Sequence, residues 1–343
     1  MLARQIKEVV ITEPSKNEDI ATNLRTEQLK SYKQDRMIRR FAYLALTLFL
    51  LANVMAFWHA YRFTHFSDSK EGRINPDELA AFEKAKILFT GIEIPRPKTA
   101  VVPQLPFEIV TIQSDVRLEA WQIPAEPTRG TVILFHGYSA EKSALISRAE
   151  EFTKLGFTTL LVDFMGSGGS EGESTNLGYT ESREVRDVYE WVKQTEEKEI
   201  NLFGTSMGAA SILKAISDYG IEPTSIILEC PFGSLYRTVS ARFRIMNVPP
   251  FPLASILTFW GGVQQGYWAF SHNPSSYATA VTVPTLLLYG DLDDRVSVGE
   301  TMDIYNNMKG RKQLIRYPEE GHDVFSERNR SNWVRDVTIF LGS

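Results

Sequence analysis

Two spacings of apolar residues alternate along the chain from about residue 107 onward. Thr131–Phe135, Ile200–Phe203 and Thr285–Tyr289 are short, nearly continuous apolar runs, the pattern of strands buried on both faces. Thr158–Asp163, Ser225–Leu228 and Lys312–Tyr317 read as strands too, and Glu108–Gln113 and Val116–Ile123 flank Ser114-Asp115 as a hairpin. Between most of these runs the spacing lengthens to that of helices, as at Ala209, Ala210, Leu213 and Ile216 within Met207–Tyr219. Strands alternating with helices predict crossover units around a mostly parallel sheet, an α/β fold. Sites in such sheets lie beyond the carboxyl ends of the strands.

Upstream the pattern is different. Phe41–Tyr61 (FAYLALTLFLLANVMAFWHAY) contains no formal charge at neutral pH and is long enough to cross a bilayer core. Phe57, Trp58 and Tyr61 gather at one end like an interfacial belt, and Lys30, Lys33, Arg36, Arg39 and Arg40 crowd the other. That asymmetry predicts a transmembrane helix with residues 1–40 as a flexible cytoplasmic tail and the rest of the chain extracytoplasmic, periplasmic in a Gram-negative bacterium. A cleaved signal peptide fits less well, because the polar leader is long and no Ala-x-Ala-like site clearly follows. A buried core helix is the remaining alternative.

Residues 62–106 then form a juxtamembrane linker. In it Asn75-Pro76 and Gly91 punctuate a stretch with Leu79, Phe82, Lys86 and Phe89 at helical spacing, which predicts an amphipathic helix docked on the body or, second, on the membrane surface. The Pro95–Pro106 segment reads as a stiff connector.

Candidate chemistry enters at Gly204-Thr205-Ser206-Met207-Gly208. A Gly-x-Ser-x-Gly pattern alone does not distinguish a nucleophile from a turn residue, but here a strand precedes it and a helix follows. A nucleophile elbow strains its backbone and needs glycine or very small neighbours; Gly204, Gly208, Ala209 and Ala210 supply them. A serine nucleophile also requires a histidine base and an orienting acid. Of His59, His65, His136, His272 and His322, His322 in YPEEGHDVF follows the last strand and is the strongest candidate, with a surface-loop histidine as the plain alternative. Asp291, Asp293 and Asp294 compete as the acid in the turn after Thr285–Tyr289; Asp293 is chosen, and a solvated acidic turn suits the other two. The oxyanion donors would be the backbone amides of Met207 and of Tyr138, which follows Thr131–Phe135 in the His136-Gly137-Tyr138 turn. His136 reads as a loop-packing residue beside that hole.

His136-Gly137, the Gly204–Gly208 elbow, Gly290-Asp291-Leu292-Asp293 with Val296, and Gly321-His322 together resemble the α/β-hydrolase superfamily, in its serine esterase and lysophospholipase-like branch. The resemblance covers roughly Phe107 to the C-terminus. It implies an α/β-hydrolase fold: a mostly parallel eight-stranded sheet with helices on both faces, and Ser206, Asp293 and His322 as the catalytic triad. It also implies a small cap in the long insertion, residues 232–277, whose aromatics would either line an acyl pocket or only pack on the core. VDFMGSGGSEG matches the family's glycine-rich turn, with Met165-Gly166 where Arg-Gly is usual.

Rival chemistries fit poorly. Glu171 occupies the third glycine position of a dinucleotide fingerprint, no P-loop lysine occurs, and one cysteine without a His-x-x-x-His pair argues against a zinc site. No metal or cofactor is therefore expected. Net charge −5 argues against nucleic acid as a partner. Cys230, the single cysteine, forms no internal disulfide and does not identify a compartment. The expectation is a membrane-anchored serine hydrolase (107–343 catalytic) cleaving a carboxylic ester or thioester of small-molecule or lipid-like kind. An acyltransferase or peptidase on the same fold comes second, and a non-catalytic scaffold third.

Overall fold

The computed structural model describes residues 14–68, 87, 89–195, 197 and 199–342. They divide into two compact units, Met1–Val54 and Met55–Ser343.

The first unit is helical. Helix α1 spans Pro14–Thr64, so the polar segment expected as a flexible tail is helix from Pro14 onward. The reason lies in composition: after Pro14, which suits a first helical position, the chain carries neither glycine nor proline up to Thr64, and its Lys, Arg, Glu, Gln and Leu residues are good helix formers. Side chains from Ile20 to Leu51 are exposed. Among the described residues this is the one helix long and apolar enough to cross a membrane, with an 18-residue window of mean hydropathy 1.9. Most of the amphipathic helix expected over residues 75–91 lies outside the described residues.

The second unit is built on an eight-stranded sheet. Its strands are β1 (Glu108–Gln113), β2 (Arg117–Ile123), β3 (Thr131–Phe135), β4 (Thr158–Val162), β5 (Ile200–Thr205), β6 (Ser225–Glu229), β7 (Thr285–Gly290) and β8 (Lys312–Tyr317). They lie in the order β1-β2-β4-β3-β5-β6-β7-β8. The first two pairings, β1 with β2 and β2 with β4, are antiparallel, and every other pairing is parallel. β3 to β7 are buried along their whole lengths apart from Thr205, which is why their sequences lack alternation. β5 runs past Phe203 through Gly204, which faces Phe135 on one neighbour and Leu228 on the other.

Helices cover both faces. α3 (Glu181–Lys193), α4 (Met207–Tyr219) and α7 (Val298–Asn307) bury Val185, Val188, Leu213, Ile216 and Ile304 against one side. α2 (Ile146–Lys154) and α8 (Arg330–Phe340) bury Phe152, Trp333 and Val337 against the other.

The insertion folds as α5 (Leu235–Ile245), α6 (Leu253–Gln265) and short turns. Its aromatics divide. Tyr267 stacks on Tyr179 with centroids 4.0 Å apart, and Trp260 meets Phe57 of α1 edge-on at 5.3 Å, whereas Phe251 and Trp268 face solvent. Buried His272 ties the insertion to the loop before α3, its Nε2 3.0 Å from the Leu177 carbonyl. Burial pushes the pKa of this imidazole down to about 4, so it is neutral at physiological pH.

Candidate active site

Five strand ends converge on one spot. Ser206 stands between β5 and α4 at φ +50°, ψ −104°, a conformation that costs a non-glycine residue strain and persists only where its surroundings enforce it. They do so here. The Ser206 amide donates to the Glu229 carbonyl at the end of β6 at 2.7 Å, and α4 approaches the sheet so closely that a Cβ at Gly208 would lie 2.3 Å from the Phe135 carbonyl oxygen. Only glycine fits that crossing.

The Ser206 hydroxyl lies 3.0 Å from His322 Nε2, and His322 Nδ1 lies 2.8 Å from Asp293 Oδ2. The other Asp293 oxygen accepts the amides of Arg295 at 2.8 Å and Val296 at 2.9 Å. Burial raises the pKa of this carboxyl, but the hydrogen bond and charge of His322, together with those two amides, outweigh it and hold the pKa below the usual range. An ionised Asp293 fixes the proton on Nδ1 and leaves Nε2 as acceptor for the serine proton. The competing aspartates are engaged elsewhere: Asp291 Oδ1 pairs with Arg316 Nε at 2.7 Å, and Asp294 is exposed beside Arg295.

Of the two expected oxyanion residues, Met207 directly follows the serine. Met207 opens α4, so its amide is one of the first-turn donors that have no acceptor within the helix. Tyr138 follows β3, the neighbour of β5, and is held from behind. His136 is buried with Nδ1 2.8 Å from the Gly137 carbonyl, and its Nε2 accepts the Phe164 amide at 3.1 Å. Burial lowers its pKa despite the nearby Asp163 carboxylate, so it clamps the loop as a neutral ring.

A family model described as serine aminopeptidase, S33, matches residues 126–257. The protein YqkD of Bacillus subtilis (strain 168) is 25% identical over 228 residues, covering 65% of this chain and 75% of that protein. The human acylamino-acid-releasing enzyme is 25% identical over 264 residues, 69% of this chain but 34% of the enzyme; the chain spans about a third of that relative's length. Among solved structures, the Pyrococcus furiosus esterase Pf2001 superposes with TM-score 0.60 at 23% identity, covering 72% of this chain and 97% of that one. The chain has the α/β-hydrolase fold.

Several residues that shape this candidate site were not singled out from sequence. Glu229 ends the apolar run of β6 with a carboxylate that is 2% exposed, and it accepts from Arg148 Nη2 at 2.7 Å and from Trp333 Nε1 at 2.6 Å. The same Arg148 nitrogen reaches Asp323, next to His322, at 2.8 Å. Burial disfavours the guanidinium, yet Glu229 and Asp323 more than offset it and raise its pKa. A charge directly after the apolar run Ile226–Leu228 was the available signal, since such a group must be paired when buried.

On the other flank, fully buried Lys142 pairs with Asp163 and with Glu119 and holds the glycine-rich turn, where Gly168 at φ +48° lies against the Asp163 carboxylate. A second cation on this turn comes from Arg96, whose guanidinium donates to the Gly172 carbonyl at 2.5 Å and to that of Ser170. Met165 carries no such donor.

One cluster of potential metal donors occurs among the described residues: Cys230, Asp293 and His322, with donor atoms within 4.8 Å of one another. Its chemistry favours hydrogen bonding. His322 Nδ1 and Asp293 Oδ2 are committed to each other, and burial, then the Asp293 charge, pushes the Cys230 thiol pKa well up, keeping the proton on sulfur.

Proposed function

We propose that the chain is a membrane-tethered serine hydrolase that cleaves a carboxylic ester or thioester through an acyl-enzyme. The observation that carries this reading is the continuous hydrogen-bonded path from Ser206 Oγ through His322 to Asp293. Ser206 Oγ attacks the substrate carbonyl carbon as its proton passes to His322 Nε2. The Met207 and Tyr138 amides donate to the oxygen that becomes negative. Collapse of the tetrahedral species breaks the bond to the alcohol or thiol, which leaves with the proton from Nε2. Water then repeats the sequence and frees the acid. An acceptor alcohol in place of water would make the same centre an acyltransferase.

Peptide-bond cleavage is the second reading, supported by the serine aminopeptidase family model and the acylamino-acid-releasing relative. The test is fluorophosphonate labelling of the full chain, followed by parallel screens of an ester and thioester library and of acylated and free amino-acid amides. Stoichiometric labelling at Ser206, abolished in Ser206→Ala, is expected, with esters turned over faster than amides. Equal labelling of the variant would remove Ser206 as nucleophile, and faster turnover of amides would exchange the two readings.

α1 supports a single-pass anchor with residues before Phe41 in the cytoplasm and the hydrolase on the far side. A reporter fused after Arg73 is expected to read extracytoplasmic, and one fused before Phe41 cytoplasmic. The reverse pattern would overturn the orientation.

A further inference from the structure

The last turn of α1 ends against the loop that carries Tyr138. The Tyr138 hydroxyl donates to the Phe63 carbonyl at 2.6 Å. The two rings stack with centroids 4.7 Å apart and 20° between their planes, and Phe66 lies 6.5 Å from the same tyrosine ring. Phe63 is the penultimate residue of α1, so its carbonyl is one of those a helix C-terminus leaves without an intrahelical donor. The tyrosine hydroxyl fills that need.

This stretch is itself fastened on two sides. The Phe66 amide donates to the Glu173 carbonyl at 2.8 Å, and the Thr175 amide to the Thr64 carbonyl at 2.9 Å. Six residues before Phe63, the Phe57 carbonyl accepts from Gln264 of α6 at 2.8 Å. Residues 57–66 are therefore seated between the insertion and the segment that follows the glycine-rich turn.

Tyr138 stands in a turn outside any strand ladder, next to Ser139 at φ +55°. Its backbone is steered from one side by the His136 clamp and from the other by its own side chain. An oxyanion donor works only within about 0.5 Å and 10–20° of its productive position, so a contact that fixes the side chain also fixes the amide. We propose that Phe63 is a positioning residue for the reaction: its carbonyl and ring brace Tyr138 so that the Tyr138 amide points at the oxyanion, which makes the end of α1 a working part of the hydrolase site.

The proposal rests on the hydrolase reading with Tyr138 as an oxyanion donor, and its test separates failure of the brace from failure of that hydrolase reading. Full-length protein in detergent micelles is assayed with a water-soluble p-nitrophenyl ester, with kcat expressed per site titrated by the fluorophosphonate so that unfolded protein does not count. Tyr138→Phe keeps the ring and removes the hydrogen bond; Phe63→Ala removes the stack; Phe63→Tyr restores it.

Tyr138→Phe and Phe63→Ala are expected to lose about tenfold or more in kcat, approaching the roughly 10²–10³-fold cost of deleting an oxyanion donor. KM is expected to stay within about twofold. Phe63→Tyr is expected to recover most of the rate. Tyr138→Phe at the wild-type kcat, or a loss confined to KM, would overturn the brace while Ser206 labelling still stood. A wild-type chain not labelled at Ser206 would instead overturn the hydrolase reading. Should Phe63→Ala yield no titratable sites, Tyr138→Phe decides alone.

Discussion

Asp293→Asn is expected to lower kcat by about 10⁴-fold, the scale seen where a triad aspartate is replaced by its amide. The local hydrogen bonds dictate the mechanism. Asp293 Oδ1 accepts the Arg295 and Val296 amides, so an asparagine must keep its carbonyl oxygen there and turn its NH₂ toward His322 Nδ1. A donor at that place demands the tautomer with Nδ1 bare and the proton on Nε2, which then cannot accept the Ser206 proton. Asp291→Asn and Asp294→Asn serve as controls and are expected to stay within a few fold, since neither carboxylate meets His322. Steady-state kinetics on the best substrate of the wild type decide it, and a comparable collapse in Asp294→Asn would move the acid one residue along.

The second large effect is on stability. Arg148→Ala leaves the Glu229 carboxylate buried without its cation, and breaking a buried pair in this way costs about 3–5 kcal/mol. Asp323→Asn, at the 73% exposed end of the same cluster, is expected to cost less than about 1 kcal/mol, as exposed pairs do. Removing both buried charges, in Arg148→Met with Glu229→Gln, is expected to recover much of the loss because no unpaired charge remains. Thermal unfolding of the three variants in one detergent measures this. An Arg148→Ala chain that unfolds at the wild-type temperature would show that the buried pair contributes nothing net.

What the sequence made legible follows from which forces act locally. β3, β5 and β7 announce themselves because a strand covered on both faces has no polar side to show, and the loops that end them carry Tyr138, Ser206 and Asp293 in turn. The Ser206 elbow was legible because backbone strain demands small neighbours within a few residues. The partnership of Arg148 with Glu229 spans 81 residues, and no spacing rule reaches that far. The end of β5 at Thr205 was hidden by Gly204, whose role in the strand depends on the neighbours it faces. The helical run from Pro14 to Arg40 was hidden for another reason: its residues lack an apolar stripe, so intrinsic propensity rather than periodicity is what makes it helical. The seating of residues 57–66 against Tyr138 involves backbone carbonyls, which carry no sequence signature at all.

That unbroken helix changes what the basic residues before Phe41 are. At 1.5 Å per residue, Pro14 to Arg40 is about 40 Å long, and the side chains of Lys30, Lys33, Arg36 and Arg40 are exposed along it. Stepping about 100° per residue, these four fall within roughly one third of the circumference. A loose tail would spread the same charges as a diffuse cloud. On a rod they form a column of cations on one side, so with the anchoring proposed for α1 attraction to anionic headgroups would act as a torque as well as a pull, favouring one rotation of the rod about its own axis and resisting the others.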